Sequence, residues 1–329
     1  MTALLAEPAM PSEFDLIRRF FTRPAANTVL GVGDDAALLQ VSPGKMLAVS
    51  SDMLVAGRHF LPDADPYLLG HKTLAVNLSD LAAMGAKPRW ATLALALPEV
   101  NETWLAAFSR GFFDLADRFA VSLVGGDTTR GPLNLCVTIL GETDVRALCR
   151  DAAQVGDDIW VSGDLGGAAL GLAHLQGEAN LEPDAAAACL ERLHRPEPRV
   201  ALGLALAQLP RVSAIDISDG LLADLGHILE RSSVGAEIEL FAVPAHSALH
   251  SLLPGSVFAR RCLLAGGDDY ELCFCVPVED APSVLAAGAA AGVAVHRIGR
   301  IDSNAGLRVI GQDGQQLMVQ ERGFDHFAN

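Results

Sequence analysis

Six short turns, each after an apolar run, set one or two aspartates beside Gly or Ser. They are Gly33-Asp34-Asp35, Ser50-Ser51-Asp52, Asn77-Leu78-Ser79-Asp80, Gly125-Gly126-Asp127, Asp216-Ile217-Ser218-Asp219 and Gly266-Gly267-Asp268-Asp269. No thiol or imidazole cluster accompanies them. Carboxylate and hydroxyl oxygens drawn from many segments suit hard divalent cations, above all Mg2+, which carboxylates hold together with substrate phosphates. The chemistry implied is metal-dependent work on a polyphosphate. A single Gly-Asp turn would mean little, since both are ordinary turn residues; six call for a common cause.

Taken one at a time, the segments also admit plainer accounts. Thr73, Asn77 and Asp80 fall at i, i+4 and i+7 and share one helix face, while Leu74, Leu78 and Leu81 cover another; a solvated polar stripe would look the same. Asp219 precedes the apolar positions Leu221, Leu222, Leu225, Ile228 and Leu229 and could be their N-cap, a role worth about 1 kcal/mol. Asp216 ends an apolar strand, where a lone carboxylate is costly unless a cation neutralises it. Gly125-Gly126-Asp127-Thr128-Thr129-Arg130-Gly131 offers phosphate oxygens close backbone approach, hydroxyls and a guanidinium, or else is a polar hairpin turn. The common nucleotide motifs fail. Gly31-Val32-Gly33-Asp34-Asp35-Ala36 matches G-x-G-x-x-A, but Ser42-Pro43-Gly44 follows too soon for the helix a dinucleotide site needs. Gly44-Lys45-Met46 lacks both ends of a P-loop, and neither H-R-D nor D-F-G occurs.

The elements that must position these groups mix strands and helices. Strands are predicted at Thr28–Val32, Met46–Ser50, Trp90–Leu97, Val121–Val124 and Asn134–Leu140, then at Asp158–Ser162, Val212–Ile217, Ala236–Leu240, Cys262–Ala265 and Leu272–Val276. Helices are predicted from Ser12 to Phe21, at Tyr67–Met84 with Gly85 and Pro88 as its stop, and at Glu102–Phe119. Others follow at Leu165–Gln176, Asp184–His194, Pro198–Leu209 and Leu221–Ser232. This predicts an α/β (α+β) protein of two domains, residues 1–147 and 148–329.

Composition bounds the partners. The chain of 329 residues carries a net charge of −16, which argues against nucleic acid and anionic membranes, both of which need a basic face. Cys136, Cys149, Cys189, Cys262, Cys273 and Cys275 form no C-x-x-C pair and are expected to be reduced structural thiols, as in cytoplasm. Residues Met1–Pro11 have neither a basic n-region nor a long apolar one, so no signal peptide is expected. Ala281–Val295 is uncharged but broken by Pro282, Gly288 and Gly292 and too short to span a bilayer.

At this point a family resemblance emerges. The strings Gly31–Leu38, Ser51–Phe60, Ala75–Gly85, Gly125–Gly131, Ile215–Gly220 and Gly267–Leu272 resemble those of bacterial thiamine-monophosphate kinases, in order and over nearly the whole chain. That family sits in an ATP-binding superfamily with aminoimidazole ribonucleotide synthetase, selenophosphate synthetase and a hydrogenase-maturation protein. The resemblance implies an N-terminal domain (1–147) that binds ATP and Mg2+ and pairs across a homodimer into a β-barrel, followed by a C-terminal α+β domain (148–329). It implies direct in-line phosphoryl transfer from ATP to thiamine monophosphate, giving thiamine diphosphate, in the cytoplasm. Carried over by position, Asp35, Ser50, Ser51, Asp52, Asp80, Asp127, Asp216 and Asp219 would hold several Mg2+ ions. Gly126, Asp127, Arg150 and Ser218 would contact ATP, and His59, Asp268 and Phe324 thiamine monophosphate. Two positions depart from the family: Asp268 stands where Glu is common, and Phe324 where Tyr is common.

Relatives and rivals separate on simple tests. Selenophosphate synthetases carry a reactive Cys or selenocysteine near the N-terminus, whereas the first cysteine here is Cys136; the hydrogenase-maturation relative ends in cysteine, whereas this chain ends His326-Phe327-Ala328-Asn329. Aminoimidazole ribonucleotide synthetase is disfavoured by His59 in Ala56-Gly57-Arg58-His59-Phe60. A regulator that binds Mg-ATP without turnover and a metal-dependent phosphohydrolase are the alternatives of another class. No covalent nucleophile is expected, since an acceptor phosphate is already ionised and needs cations to approach a second polyanion, not a base.

Overall fold

The computed structural model describes residues 11–26, 28–144, 146–253 and 255–317. Packing divides the chain into two units: Met1–Gln40, Ser51–Thr73 and Trp90–Thr138 form one, and Val41–Ser50, Leu74–Arg89 and Ile139–Asn329 the other.

The chain starts with α1 (Glu13–Leu16), where Ser12 and Asp15 form a reciprocal capping box, continued by a π turn at Ile17–Phe21. Two short strands, β1 (Thr28–Leu30) and β2 (Leu38–Leu39), pair antiparallel. After β3 (Met46–Val55) come α2 (Pro66–Ala83), β4 (Lys87–Leu97), α3 (Glu102–Phe119), β5 (Ser122–Arg130) and β6 (Asn134–Thr143). The strands β3, β6, β4 and β5 form a four-stranded sheet in that order, with β4 and β5 parallel. Helix α3 illustrates how sequence sets an element. Asn101 caps its start by accepting from the Trp104 amide, Ala120 closes it at φ 54°, and Leu105, Phe108, Phe112, Leu115 and Ala116 make the buried stripe. Within the first unit α3 meets α2 backbone to backbone. A Cβ at Gly111 would stand 1.9 Å from the Tyr67 carbonyl oxygen, and one at Gly70 would stand 2.1 Å from that of Phe108.

Three of the six acidic turns lie inside regular elements. Ser50-Ser51-Asp52 is mid-strand in β3, Gly125-Gly126-Asp127 is part of β5, and Asn77–Asp80 belongs to α2. Strand β5 runs on past the apolar run because it is a sheet edge, where one face tolerates polar residues; a register shift opposite Ala91/Thr92 marks a bulge at the Gly125 step. The polar face of α2 is not a solvated stripe either. Thr73 and Asn77 are 1% exposed and Ser79 is fully buried, alongside Leu74, Leu78 and Leu81.

In the second unit a seven-stranded sheet has the order β13-β12-β9-β11-β7-β10-β8. Its members, with the helices between them, are β7 (Asp158–Ser162), α4 (Gly167–Leu175), α5 (Pro183–His194), α6 (Val200–Leu206), β8 (Ser213–Asp216), α7 (Leu221–Ser232) and β9 (Gly235–Glu239). They continue as α8 (Val257–Ala265), β10 (Leu272–Val276), α9 (Ala281–Ala291), β11 (Val295–Asp302), β12 (Leu307–Ile310) and β13 (Gln316–Leu317). All neighbours are antiparallel except β9 and β12. Strands β7 and β10 are buried along their whole length, and Ile159, Val161, Cys273 and Cys275 join Leu225, Ile228 and Leu263 in the core. The expected strand at Cys262–Ala265 is instead the end of α8. Ser256 caps that helix by accepting from the Ala259 amide, and Ala259, Cys262 and Leu263 repeat at helical spacing.

Candidate active site

Sheet register in the second unit sets the site's frame. Leu272 pairs with Asp216 and Cys273 with Val161, so the ends of β8 and β7 and the start of β10 share one edge. The two acidic loops at that edge are laced together. The Asp268 amide donates to the Ser218 carbonyl at 2.9 Å, Tyr270 to Ile217 at 2.8 Å, and Ile217 to Glu271 at 2.8 Å. Asp268 and Tyr270 adopt left-handed backbone at φ 70° and 50°, strain on the order of 1–3 kcal/mol each that the surroundings must hold. Two acids between and beyond them do so. Both Asp269 oxygens accept from the Gly166 amide, at 3.0 and 2.9 Å. The buried Glu271 takes Ser162 Oγ and Arg199 Nε, each at 2.6 Å, and Arg199 reaches it with a second nitrogen as well. Asp268, in contrast, accepts from the Tyr270 hydroxyl at 3.1 Å. Burial pushes Asp269 well above the usual carboxylate range, opposed by the Gly166 amide.

Consecutive residues of α2 tie further acids to the same unit. Ser79 Oγ donates to Asp216 Oδ2 at 2.7 Å, and Ser50 Oγ donates to Asp80 Oδ2 at 2.5 Å. Asp216 therefore has a hydroxyl partner, so its burial does not depend on a cation alone. Burial raises Asp80 above its ordinary value, while the Ser50 hydroxyl and the charge of Arg150 pull the other way. At α7 the N-cap is Gly220, with no side-chain cap; Asp219 does not fill that role. Asp224 does the capping from inside the helix, its Oδ2 accepting from the amides of Ser218, Asp219 and Gly220 at 3.0, 3.0 and 3.1 Å. Burial pushes Asp224 up to about 7, with the Asp219 amide opposing and the Asp219 charge adding to the rise.

Of the remaining candidates, Arg150 is exposed in the second unit, and the first unit holds most of the others. Asp35 is exposed, its amide donating to Asp34 Oδ1 at 2.9 Å. Ser51 Oγ donates to the Val137 carbonyl and meets Thr138 Oγ1, each at 3.0 Å, and Asp52 follows it on β3. His59 Nδ1 accepts from the Val55 amide at 3.0 Å, which fixes the ring. Gly126 has φ 154°, and a Cβ there would fall 1.8 Å from the Leu93 carbonyl oxygen; only glycine lets β5 lie so close to β4. Asp127 is exposed beside it. Phe324 lies outside the described residues.

Among the described residues no three His, Cys, Asp or Glu side chains group as a metal cage. Mg2+ rarely needs one, since one or two carboxylates, water and substrate phosphates complete its shell. The Asp80–Ser50 and Asp216–Ser79 pairs are all-oxygen donors, and Asp80 is a carboxylate whose charge is disfavoured by burial, so the residues present fit that ion. Sequence reasoning missed Ser79, Asp224, Arg199 and Glu271. Asp224 gave one signal, an acid in the first turn of the helix, but Asp219 just before Gly220 offered the more obvious cap.

Comparison with known proteins follows the same lines. Residues 33–143 match the model for AIR synthase related protein, N-terminal domain, and residues 154–312 that for its C-terminal domain. The thiamine-monophosphate kinase of Escherichia coli K12 is 47% identical over 322 residues, 96% of this chain and 98% of the relative. The crystal structure of thiamine-monophosphate kinase from Stenotrophomonas maltophilia K279a superposes with TM-score 0.81 at 48% identity, covering 89% of this chain and 93% of that one. AaThiL complexed with AMPPCP and TMP matches with TM-score 0.76 at 32% identity, over 90% and 92% of the two chains. Two AIR synthase related domains, a full-length identity near one half and acids gathered at one sheet edge converge: the chain belongs to the thiamine-monophosphate kinase family.

Proposed function

We infer that this protein is a thiamine-phosphate kinase, transferring the γ-phosphoryl group of ATP to the phosphate of thiamine monophosphate and releasing thiamine diphosphate and ADP. The observation that carries this is the 32% identical structure complexed with AMPPCP and TMP, matched over 90% of this chain. Mg2+, when bound, neutralises the two polyanions and the charge of the transferring group. Asp35, Ser50, Ser51, Asp52, Asp80, Asp127, Asp216 and Asp219 are the residues to hold it. Gly126, Asp127, Arg150 and Ser218 address ATP, while His59, Asp268 and Phe324 address thiamine monophosphate. Transfer is direct. The acceptor phosphate is its own nucleophile, and the chain's task is to orient two substrates and exclude water. Asp268, presented in a strained backbone by its anchored neighbours Asp269 and Glu271, suits the cationic thiamine.

The finer assignments rest on the same reading. The N-terminal domain spans 1–147 and the C-terminal α+β domain 148–329; the family matches ending at 143 and resuming at 154 support that division. The N-terminal domain pairs in a homodimer whose two sheets complete a β-barrel. In support, the edge strand β3 exposes Leu47, Val49 and Met53 on one face, an apolar row unusual on an unpartnered edge. The protein works in the cytoplasm; no helix among the described residues is long and apolar enough to cross a membrane. One assay tests the activity: ATP, Mg2+ and thiamine monophosphate, with ADP and thiamine diphosphate both quantified. Equal amounts of the two products are expected. ADP formed without thiamine diphosphate would indicate a phosphohydrolase instead.

A further inference from the structure

The segment Ser218-Asp219-Gly220 presents three successive amides to one oxygen, Asp224 Oδ2, at 3.0, 3.0 and 3.1 Å. Successive amides of this kind form a concavity that captures anions. In this loop the anion is internal, because Asp224 is only 3% exposed and sits on α7. The opposite side of the same loop is pinned as well. The Ser218 carbonyl accepts from the Asp268 amide and the Ile217 carbonyl from the Tyr270 amide. Gly220 has φ 113° and no room for a Cβ, which would stand 2.7 Å from Ala265 backbone. Amides held from within and carbonyls held from the neighbouring loop leave the Ser218 and Asp219 backbone one conformation.

We propose that Asp224 is a positioning residue for phosphoryl transfer: by filling the amide cradle of Ser218–Gly220 it fixes where the Ser218 and Asp219 side chains meet nucleotide and metal, without touching either. The proposal rests on the assignment of Asp219 to Mg2+ and Ser218 to ATP. An empty cradle would have two effects. The loop would lose three hydrogen bonds, and the bare amides would offer phosphate a wrong seat beside the right one.

The test compares Asp224→Ala, Asp224→Asn and Asp219→Asn in the full-length protein, reading apo melting temperature, KM for each substrate and the Mg2+ concentration giving half-maximal activity. Loss of a residue that orients a metal ligand typically costs 10–100-fold, so Asp224→Ala should raise the Mg2+ requirement about ten-fold or more. The KM for thiamine monophosphate should stay within about two-fold, because that substrate's loop keeps its own anchors at Gly166 and Arg199. Asp224→Asn retains an acceptor oxygen and should rescue most of the loss. Where Asp224→Ala does not fold, Asp224→Ser is read the same way. An unchanged Mg2+ requirement in the alanine or serine variant overturns the proposal, as does an asparagine variant no better than alanine. If Asp219→Asn shifts the Mg2+ requirement and Asp224→Ala does not, positioning fails and the metal assignment stands. If Asp219→Asn shifts nothing, the metal assignment itself has failed.

Discussion

Asp80 shows what a single residue contributes. Its carboxylate is raised by burial, with a hydroxyl partner at Ser50, so its charge burdens the apo protein, and the proposed Mg2+ would relieve that burden. Asp80→Asn keeps the shape and removes the charge. The apo melting temperature should hold or rise, while kcat falls by roughly 10²–10³, as for loss of a major electrostatic stabiliser. Melting the apo protein and measuring kcat at several Mg2+ concentrations checks both halves; near-normal turnover would remove Asp80 from the site. At this scale the sequence disclosed residue types better than residue partners. Aspartates beside Gly and Ser advertise oxygen chemistry wherever they fall. That Asp216 leans on Ser79, or Glu271 on Arg199 and Ser162, depends on pairs separated by 72 to 137 positions, which no local pattern encodes.

Elements were legible where local and tertiary demands agree. Helix α3 has a cap, a stripe and a stop; β7 and β10 were bounded correctly because their apolar runs are buried along their whole length, and α7 because its apolar positions repeat at helical spacing on one buried face. Cys262–Ala265 failed because four apolar or small residues at a helix end look like a buried strand; the deciding cap, Ser256, lies six residues upstream. Strand β5 failed for the opposite reason, its second half being polar at a sheet edge. Close helix contact was hidden too, since a helical glycine carries no label saying whether it is needed. Gly111 is needed and Gly226 is not: an added Cβ meets Tyr67 backbone at 1.9 Å in the first case and nothing within 4 Å in the second. Gly111→Ala should cost about 1–3 kcal/mol or more by forcing α3 off α2, whereas Gly226→Ala should stabilise α7 by about 0.4–1 kcal/mol. Denaturant midpoints of the two variants should move in opposite directions, and movement in the same direction would contradict the packing described.

For the whole molecule, composition argued against nucleic-acid and anionic-membrane partners and the order of motifs gave the family, but assembly had to be argued from the surface. If β3 is an intersubunit edge, the protein sediments as a dimer, and Val49→Arg with Met53→Arg shifts it to monomer at micromolar concentration. A dimer unaffected by both charges would place the interface elsewhere. The six cysteines form no disulfide, and their distribution is uneven. Cys149 is exposed and Cys136 partly so, while Cys189, Cys262, Cys273 and Cys275 are buried in the second unit. Burial pushes Cys189 and Cys262 up to about 11 and the β10 pair higher still. Thiol reagents attack the thiolate, so at pH 8 a chromogenic disulfide should modify Cys136 and Cys149 well before the other four; rapid reaction of all six would mean the sheet is not closed. The slow phase then acquires a use of its own. Each of those four sulfurs can be struck only when its strand or helix swings open, so their labelling counts openings of one half of the molecule in real time and without unfolding the rest. If nucleotide seals the β8–β10 edge, as proposed, it should lengthen the interval between them, turning buried sulfur into a stopwatch for occupancy.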